Sequence, residues 1–152
     1  MPTLQPTPPR AAERPMAPRI AGIGLTAGTV ELTLITAYVH LTLGGLLFTL
    51  NAIGYAVLAA AVVAASLAPA ALTRFGWLPR IGLAGYTAAT IGAYLVIGPY
   101  FALGWIAKGI EVAILTLLAA DLMRRYGSPA GLVRAALGSL GIGSDQGRVR
   151  TA

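Results

Sequence analysis

Long apolar segments alternate along the chain with short segments that contain arginine, proline or glycine. Four apolar segments are long enough to cross the roughly 30 Å hydrocarbon core of a bilayer as helices, because an α-helix rises about 1.5 Å per residue. The short connections make consecutive helices antiparallel neighbours. The pattern therefore predicts an all-α fold, a polytopic membrane four-helix bundle made of two antiparallel hairpins, with spans at residues 20–43, 46–67, 81–97 and 105–122.

The segments that flank these spans differ in composition. Residues 1–19 contain six of the ten prolines and no long apolar run, so we expect a disordered, polar Pro/Arg-rich tail. Pro79 and Arg80 belong to an arginine- and proline-containing segment between spans 2 and 3, which is typical of an interfacial loop. Residues 126–152 are expected to form a second tail, in which the apolar stripe of residues 129–142 predicts an amphipathic helix lying in the membrane interface.

The ten arginines all lie on one side of the predicted topology. They precede the first span, separate the second from the third and follow the fourth, whereas the two opposite connections contain neither arginine nor lysine. Basic residues accumulate on the cytoplasmic side of membrane proteins. We therefore expect a multi-pass protein of the cell (inner) membrane with both termini cytoplasmic.

Composition excludes several classes of function. The chain of 152 residues is 57% hydrophobic and only 11% charged, whereas a soluble domain has about 25% charged residues. The net charge of +6 follows from the arginines that flank the spans, so nucleic acid is not an expected partner. With no cysteine and one histidine, the chain has no thiolate site and cannot supply two histidines to a haem.

No sequence pattern points to an enzyme. The chain has no nucleophile paired with a base, no paired catalytic carboxylates and no metal-ligand spacing, so we expect no catalytic residues, no metal site and no cofactor. The expected partners are the lipid bilayer and either a second copy of the chain or a larger membrane complex.

The candidate site is a set of polar residues in the outer third of the predicted bundle. Ionisable side chains inside spans are costly and are candidates for function by default. His40 lies near the outer end of span 1, Asn51 lies early in span 2, and Lys108 and Glu111 lie early in span 4. Together with Tyr94 of span 3, they form the predicted ligand-binding cluster: His40, Asn51, Tyr94, Lys108 and Glu111.

Each member of this cluster also has a structural interpretation. His40 is a candidate proton relay, haem ligand or metal ligand, or a histidine that hydrogen-bonds across the hairpin. Lys108 and Glu111 are three residues apart and can neutralise each other on one helix. Two spans further present polar stripes, whose hydroxyls either coordinate water, a small solute or protons or bond the carbonyls four residues earlier. The stripe of span 1 is Thr26, Thr29, Thr33, Thr36 and His40, and the shorter stripe of span 3 is Thr87, Thr90 and Tyr94.

Glu31 stands apart from this cluster. It lies near the middle of span 1, nine residues before His40, which places it on the opposite helical face. Either it is protonated and packed against a neighbour, or it is a proton-coupled carboxylate facing its symmetry mate. Asp121 with Arg124 or Arg125, by contrast, is interpreted as an ordinary interfacial charge pair.

Two segments of the chain resemble known sequences. One is LLFTLNAIGY, which contains Asn51 and Tyr55, and the other is GWIAKGIEVAIL, which contains Lys108 and Glu111. Both resemble segments of small uncharacterised four-helix integral membrane proteins of prokaryotes. That resemblance implies a four-span bundle between about residues 30 and 125 and transfers no activity. The sequence therefore predicts a non-enzymatic bundle that binds a ligand or partner through the outer cluster.

A second resemblance supports an alternative function. Small multidrug resistance transporters are similar in having four short spans and a membrane-embedded glutamate in the first span, the position that Glu31 occupies here. The chain differs from that family in its proline-rich tail, in its outer cluster and in its third span. The resemblance implies a small proton-coupled transporter that uses Glu31, and an accessory subunit of a larger membrane complex is a further alternative.

Overall fold

The computed structural model describes residues 16–142, which form six helices and no strand. The all-α prediction and the four spans are confirmed, because four of the helices are long and apolar enough to cross a membrane. In chain order the helices are α1 (Met16–Leu43), α2 (Leu46–Leu67), α3 (Ala70–Thr73), α4 (Trp77–Ile97), α5 (Ala102–Tyr126) and α6 (Pro129–Ser139).

The four long helices pack in a ring. α1 packs most extensively on α2 and next on α5, α4 packs on α5, and the contact between α2 and α4 is the least extensive of the four. Large apolar side chains point outward, with Leu67 80%, Val96 79% and Leu46 76% exposed. An exterior of this kind is favourable when it faces hydrocarbon, and helices satisfy their own backbone hydrogen bonds there. The protein is thus a multi-pass integral membrane protein.

The interior contains an apolar core and also buried polar and charged side chains. The core joins residues from all four long helices: Ala37, Ala52, Tyr55, Val62, Leu83, Ile114 and Leu118. The hydroxyl face of α1 also points inward, with Thr29, Thr33 and Thr36 buried. The predicted polar stripe therefore faces the bundle and not the lipid.

Two connections define what we call the distal end of the bundle. Between α1 and α2, Gly44 and Gly45 have φ angles of 70° and 82°, values that glycine adopts without steric cost, and they reverse the chain within two residues. Between α4 and α5, Gly98 donates its N–H to the carbonyl of Tyr94 (2.8 Å). Pro99 then prevents the helix from continuing.

The opposite end, which we call the proximal end, contains α3 and α6. Gly127, with φ 74°, ends α5 and donates its N–H to the carbonyl of Met123. Ser128 then caps α6, because its Oγ accepts a hydrogen bond from the N–H of Gly131 (3.0 Å). α6 packs on α5. A helix is therefore present in the segment predicted to form an amphipathic helix, although it ends at Ser139 and not at residue 142.

Several helix boundaries differ from the predicted ones. α1 begins at Met16, so residues 16–19 are helical and do not belong to a disordered tail; α4 begins at Trp77 and not at residue 81. Pro18 and Pro79 indicated loops in the sequence, but each occupies the first helical turn, where the backbone N–H has no helical acceptor and proline is tolerated.

α5 is also longer than the predicted span of residues 105–122. It starts at Ala102, and it continues through the charged residues to Tyr126, because Arg124 and Arg125 in the last turn interact favourably with the helix dipole. The predicted N-terminal tail falls mostly on residues 1–15, and the predicted C-terminal tail includes residues 143–152; both of these segments lie outside the described residues.

Candidate functional site

A buried ion pair lies at the centre of the distal half of the bundle. The Lys108 ammonium lies 2.6 Å and 2.5 Å from the two carboxylate oxygens of Glu111. Glu111 is completely buried, and the Lys108 side chain is 9% exposed. Because both residues belong to α5 and are three positions apart, the helix itself brings them together. The predicted pairing of these residues is therefore present.

His40 contacts this pair from α1. Its Nδ1 lies 2.8 Å from the carbonyl oxygen of Thr36, and because a carbonyl only accepts, Nδ1 carries the proton. The other ring nitrogen, Nε2, is left facing the carboxylate of Glu111 at 3.7 Å from Oε1. The structure thus brings His40, Lys108 and Glu111 together, as the sequence pattern predicted.

Two residues that the sequence analysis did not assign to the site complete its hydrogen bonding. The Thr90 hydroxyl of α4 lies 3.1 Å from Glu111 Oε2, and the Tyr55 hydroxyl of α2 lies 2.7 Å from Thr90 Oγ1. Tyr55 itself is fully buried. We call His40, Tyr55, Thr90, Lys108 and Glu111 the distal cluster. It draws one side chain from each of α1, α2 and α4, and two from α5.

The other two predicted site residues lie beside the distal cluster. Asn51 accepts a hydrogen bond from the Tyr86 hydroxyl at 2.6 Å through Oδ1, a bond that joins α2 to α4. Tyr94 contributes its ring, whose centroid lies 5.4 Å from the Lys108 ammonium, a distance typical of a cation–π contact. Neither residue hydrogen-bonds Glu111. Tyr86 is a third residue that the sequence analysis missed.

A cavity of about 300 Å³ opens next to this arrangement at the distal end. The cavity is lined by residues from all four long helices, most of them apolar or aromatic, and its polar lining consists of His40, Asn51, Tyr86, Thr90, Tyr94 and Lys108. Glu111 does not line the cavity. Glu111 therefore contacts Lys108 and His40 on the side away from the cavity, while those two residues line the cavity. We call this space the distal cavity.

The threonine stripe of α1 is only partly self-satisfied. Thr29 and Thr33 donate to the carbonyls four residues earlier, at 2.8 Å and 2.6 Å, as expected for hydroxyls inside a helix. Among the described residues, in contrast, the buried hydroxyls of Thr36 and Thr87 have no hydrogen-bond partner. Unpaired buried hydroxyls are uncommon in a native interior, where buried polar atoms normally form hydrogen bonds.

Glu31 lies away from the distal cluster, on the exposed face of α1. It is near the middle of the span Ile20–Leu43, and within the described part of the chain it has no hydrogen bond or ion pair. Its neighbours on that face, Leu34, Ile35 and Tyr38, are all exposed apolar or aromatic side chains. The helical phase had placed Glu31 opposite His40, and the structure agrees.

A second polar cluster occupies the proximal end. The Asp121 carboxylate contacts the guanidinium groups of Arg80, Arg124 and Arg125 at 2.9, 2.9 and 2.7 Å. Arg80 is only 2% exposed, and it also donates to the carbonyl of Gly76 and to Ser66 Oγ. The predicted pairing of Asp121 with Arg124 and Arg125 is present. The cluster also includes the buried Arg80, which belongs to α4 and not to the predicted loop, so it extends into the interior. We call these four residues the proximal cluster.

Comparison with known proteins adds no functional assignment. Among residues 16–142, no three histidine, aspartate or glutamate side chains are arranged to hold a metal ion. No protein-family model, curated protein or solved structure matches the chain. Function must therefore be argued from the geometry of the site.

Proposed function

We propose that the protein is a membrane-embedded binding protein and that the distal cavity holds a small, mostly apolar molecule with an oxygen acceptor. One observation carries the proposal. Lys108 and His40 face the cavity, while Glu111, which contacts both, is buried behind them. A pocket with apolar walls and a few convergent polar groups is the usual form of a small-molecule site.

The polar groups define the chemistry of the ligand. Lys108 is a donor without acceptor capacity, and the Asn51 amide nitrogen is also a donor, since Oδ1 already accepts from Tyr86. These donors favour a carbonyl or hydroxyl oxygen on the ligand. The charges of Lys108 and Glu111 cancel, which favours a neutral ligand. The volume of about 300 Å³ lies at the lower end of the range for drug-sized ligands.

A purely structural role explains this arrangement less well. Replacing a buried ion pair with apolar residues of similar volume is often neutral or stabilising, so packing alone does not favour a lysine and a glutamate here. The pair also lies within a span, where charged side chains are costly and usually mark a functional site.

The test uses the full-length protein purified in mild detergent and incubated with a total lipid extract of the host membrane. Native mass spectrometry then measures the small molecules retained by each variant. Lys108→Met/Glu111→Met removes the donor without leaving an unpaired charge, and Ala93→Leu adds bulk to the cavity lining. Ala88→Leu is the matched control, because Ala88 is exposed on the same helix and does not line the cavity.

We expect wild type and Ala88→Leu to retain a molecule of defined mass that the other two variants lose. Equal retention by all four proteins, or no bound molecule on wild type, would overturn the proposal. Co-purification of larger membrane subunits in stoichiometric amounts would favour the accessory-subunit function instead.

The proposed orientation places the proximal end in the cytoplasm and the protein in the cell (inner) membrane. Arg74, Arg80, Arg124, Arg125 and Arg134 all belong to the proximal end, whereas Lys108 belongs to the distal half. Arginine and lysine near the span ends favour the cytoplasmic side of the membrane. The distal cavity then faces the opposite side of the membrane.

A second candidate function rests on Glu31. A carboxyl exposed at mid-span to hydrocarbon is unfavourable, and a second copy of the chain would give it a polar neighbour. A proton-coupled transporter built as a dimer around Glu31 requires this arrangement. Ethidium efflux from cells that produce the protein should then be lost in Glu31→Gln. Efflux equal to that of wild type, or absent in both, would exclude this function for ethidium-like cations.

A further inference from the structure

His40 and Lys108 differ in how they carry charge at the wall of the distal cavity. Both line the cavity, and their side chains are only 5% and 9% exposed. The Lys108 ammonium is paired with Glu111. His40 has its proton on Nδ1, toward the carbonyl of Thr36, so Nε2 presents a lone pair to the Glu111 carboxylate at 3.7 Å. A proton on Nε2 turns that contact into an ion pair.

The protonation state of His40 determines the charge that a molecule in the cavity meets. With a neutral ring, the charges of Lys108 and Glu111 cancel, and an anion in the cavity would be a buried charge without a counterion, which is costly. With a protonated ring, two cations share the single carboxylate of Glu111, and the distal cluster has one excess positive charge. A ligand with one negative charge neutralises it. The cavity therefore favours an anion only together with a proton.

The surroundings of His40 contain few other groups that can change this balance. α1 packs on α2 and α5, and the centroid of the Tyr55 ring of α2 lies 5.6 Å from that of the His40 ring. Tyrosine is uncharged near neutral pH. Among the described residues, the titratable side chains that act on His40 or line the same cavity are Lys108, Glu111, Tyr55, Tyr86 and Tyr94. The charged ones are thus Lys108 and Glu111.

We infer that the distal cavity binds a monocarboxylic acid with an apolar tail, and that it holds the acid as a carboxylate with its proton on His40. The inference rests on the function proposed above and names the class of its ligand. The O–H bond of the acid breaks, an N–H bond to Nε2 forms, and the electron pair stays on the carboxylate oxygen. The carboxylate then pairs with Lys108, and Glu111 pairs with the imidazolium. His40 accepts the proton because an imidazole is more basic than a carboxylate.

The rest of the cavity lining suits the tail of such an acid. Its walls include Leu43 of α1, Leu47 and Phe48 of α2 and Ile97 of α4. Apolar walls of this kind favour hydrocarbon over water. The acid also enters from the membrane as a neutral molecule, and the complex adds no net charge to the interior, because the new carboxylate and the new imidazolium balance each other.

The chain offers a direct probe of this step, because His40 is its only histidine. The full-length protein is labelled with ¹⁵N in histidine, purified through a tag without histidine and placed in phosphatidylcholine nanodiscs. Octanoate and octanol are titrated separately, since they share an apolar tail and differ in the head group. NMR of the ring nitrogens then reports the protonation of His40. We expect one protonated and one unprotonated nitrogen in the free protein and with octanol, and two protonated nitrogens with octanoate.

Variants connect this signal with the cavity. Ala93→Leu fills the cavity and keeps His40, so it should bind octanoate about tenfold more weakly, whereas the control Ala88→Leu should match wild type. In wild type the Kd for octanoate should rise about tenfold between about pH 7.5 and 8.5, because binding takes up one proton. His40→Gln should lose this pH dependence. Partition of octanoate into the lipid is common to all four proteins and cancels in the comparison.

Four outcomes would overturn the inference. The first is octanoate that saturates the site while one ring nitrogen stays unprotonated, and the second is a ring that is doubly protonated before octanoate is added. The third is an affinity for octanoate that does not depend on pH in wild type, or that keeps its pH dependence in His40→Gln. The fourth is binding of octanol without binding of octanoate, which would leave the proposed function intact. Binding of neither molecule would contradict the proposed function as well.

Discussion

The ion pair between Lys108 and Glu111 provides a sharp test because its two members differ in burial. The Glu111 side chain is 0% exposed and the Lys108 side chain is 9% exposed. Removing one charge leaves the other in the interior, and breaking a buried pair in this way costs about 3–5 kcal/mol. We expect Lys108→Met to lower the free energy of unfolding by about 3 kcal/mol, because Glu111 then keeps polar neighbours such as Thr90 and His40 but loses the ammonium that pairs with its carboxylate.

The reciprocal substitution should be milder. In Glu111→Met the remaining charge is on Lys108, whose long apolar stem lets the ammonium move toward the distal headgroups. We expect a loss of about 1.5 kcal/mol, half of that for Lys108→Met. The double variant removes both charges and keeps the volume, so its loss should be about 1 kcal/mol, the value of the hydrogen bond from Thr90. The coupling energy of the pair is then about 3.5 kcal/mol.

Equilibrium unfolding measures these quantities. The protein in mild detergent micelles is titrated with sodium dodecyl sulfate, and helicity is followed by circular dichroism. Arg134→Met serves as the control for loss of an exposed charge and should change the free energy of unfolding by less than about 0.5 kcal/mol. A double variant that loses the sum of the two single losses would refute the argument, because the two residues would then be independent.

Four further predictions concern other parts of the bundle. Arg80→Gln should lower the free energy of unfolding by about 3 kcal/mol, and Arg125→Gln by less than about 1 kcal/mol, because Arg80 is buried and Arg125 is one-third exposed; the same titration compares them. In the same titration, Gly45→Ala should lower the free energy of unfolding by about 1 kcal/mol, because the φ angle of Gly45 is 82°. Glu31→Gln should leave the stability of monomeric protein within about 0.5 kcal/mol of wild type, whereas a larger loss would show that the carboxyl has a partner. In intact cells, a membrane-impermeant maleimide should label Thr42→Cys at the distal end, while Gly138→Cys at the proximal end should react only after lysis; the reverse result would invert the orientation.

Hydropathy alone predicted the four spans because the cost of placing backbone and charge in hydrocarbon leaves few alternatives. α2 matches its predicted range, and α1 ends at the predicted residue, because a pair of glycines separates them. The predicted boundaries were wrong where a helix extends beyond its apolar segment. Pro79 and Arg80 were typical of a loop, and only the tertiary contact of Arg80 with Asp121, 41 residues away, shows why helix continues there.

The candidate site was also predictable only in part. His40, Lys108 and Glu111 stood out because ionisable residues are rare in spans. Thr90 belongs to the predicted polar stripe of span 3, but neither Thr90 nor Tyr55 was predicted to lie near Glu111. Tyrosine and threonine are common in packed helices, and nothing in their spacing identifies Glu111 as their neighbour. Their role follows from the ring order of the helices, which places α4 beside α5 and α2 beside α4. Sequence periodicity defines the faces of each helix but not which faces meet.

The sparse contact between α2 and α4 affects how a ligand of the distal cavity would be measured. The cavity is lined by both helices, and the hydrogen bond between Asn51 and Tyr86 joins them there. A mostly apolar molecule dissolves in the bilayer before it meets the protein. It can then enter laterally between α2 and α4 from the acyl-chain region. Occupancy then depends on moles of ligand per mole of lipid, not on its aqueous concentration. Affinities compared between preparations are meaningful only when the amount of lipid or detergent is held constant.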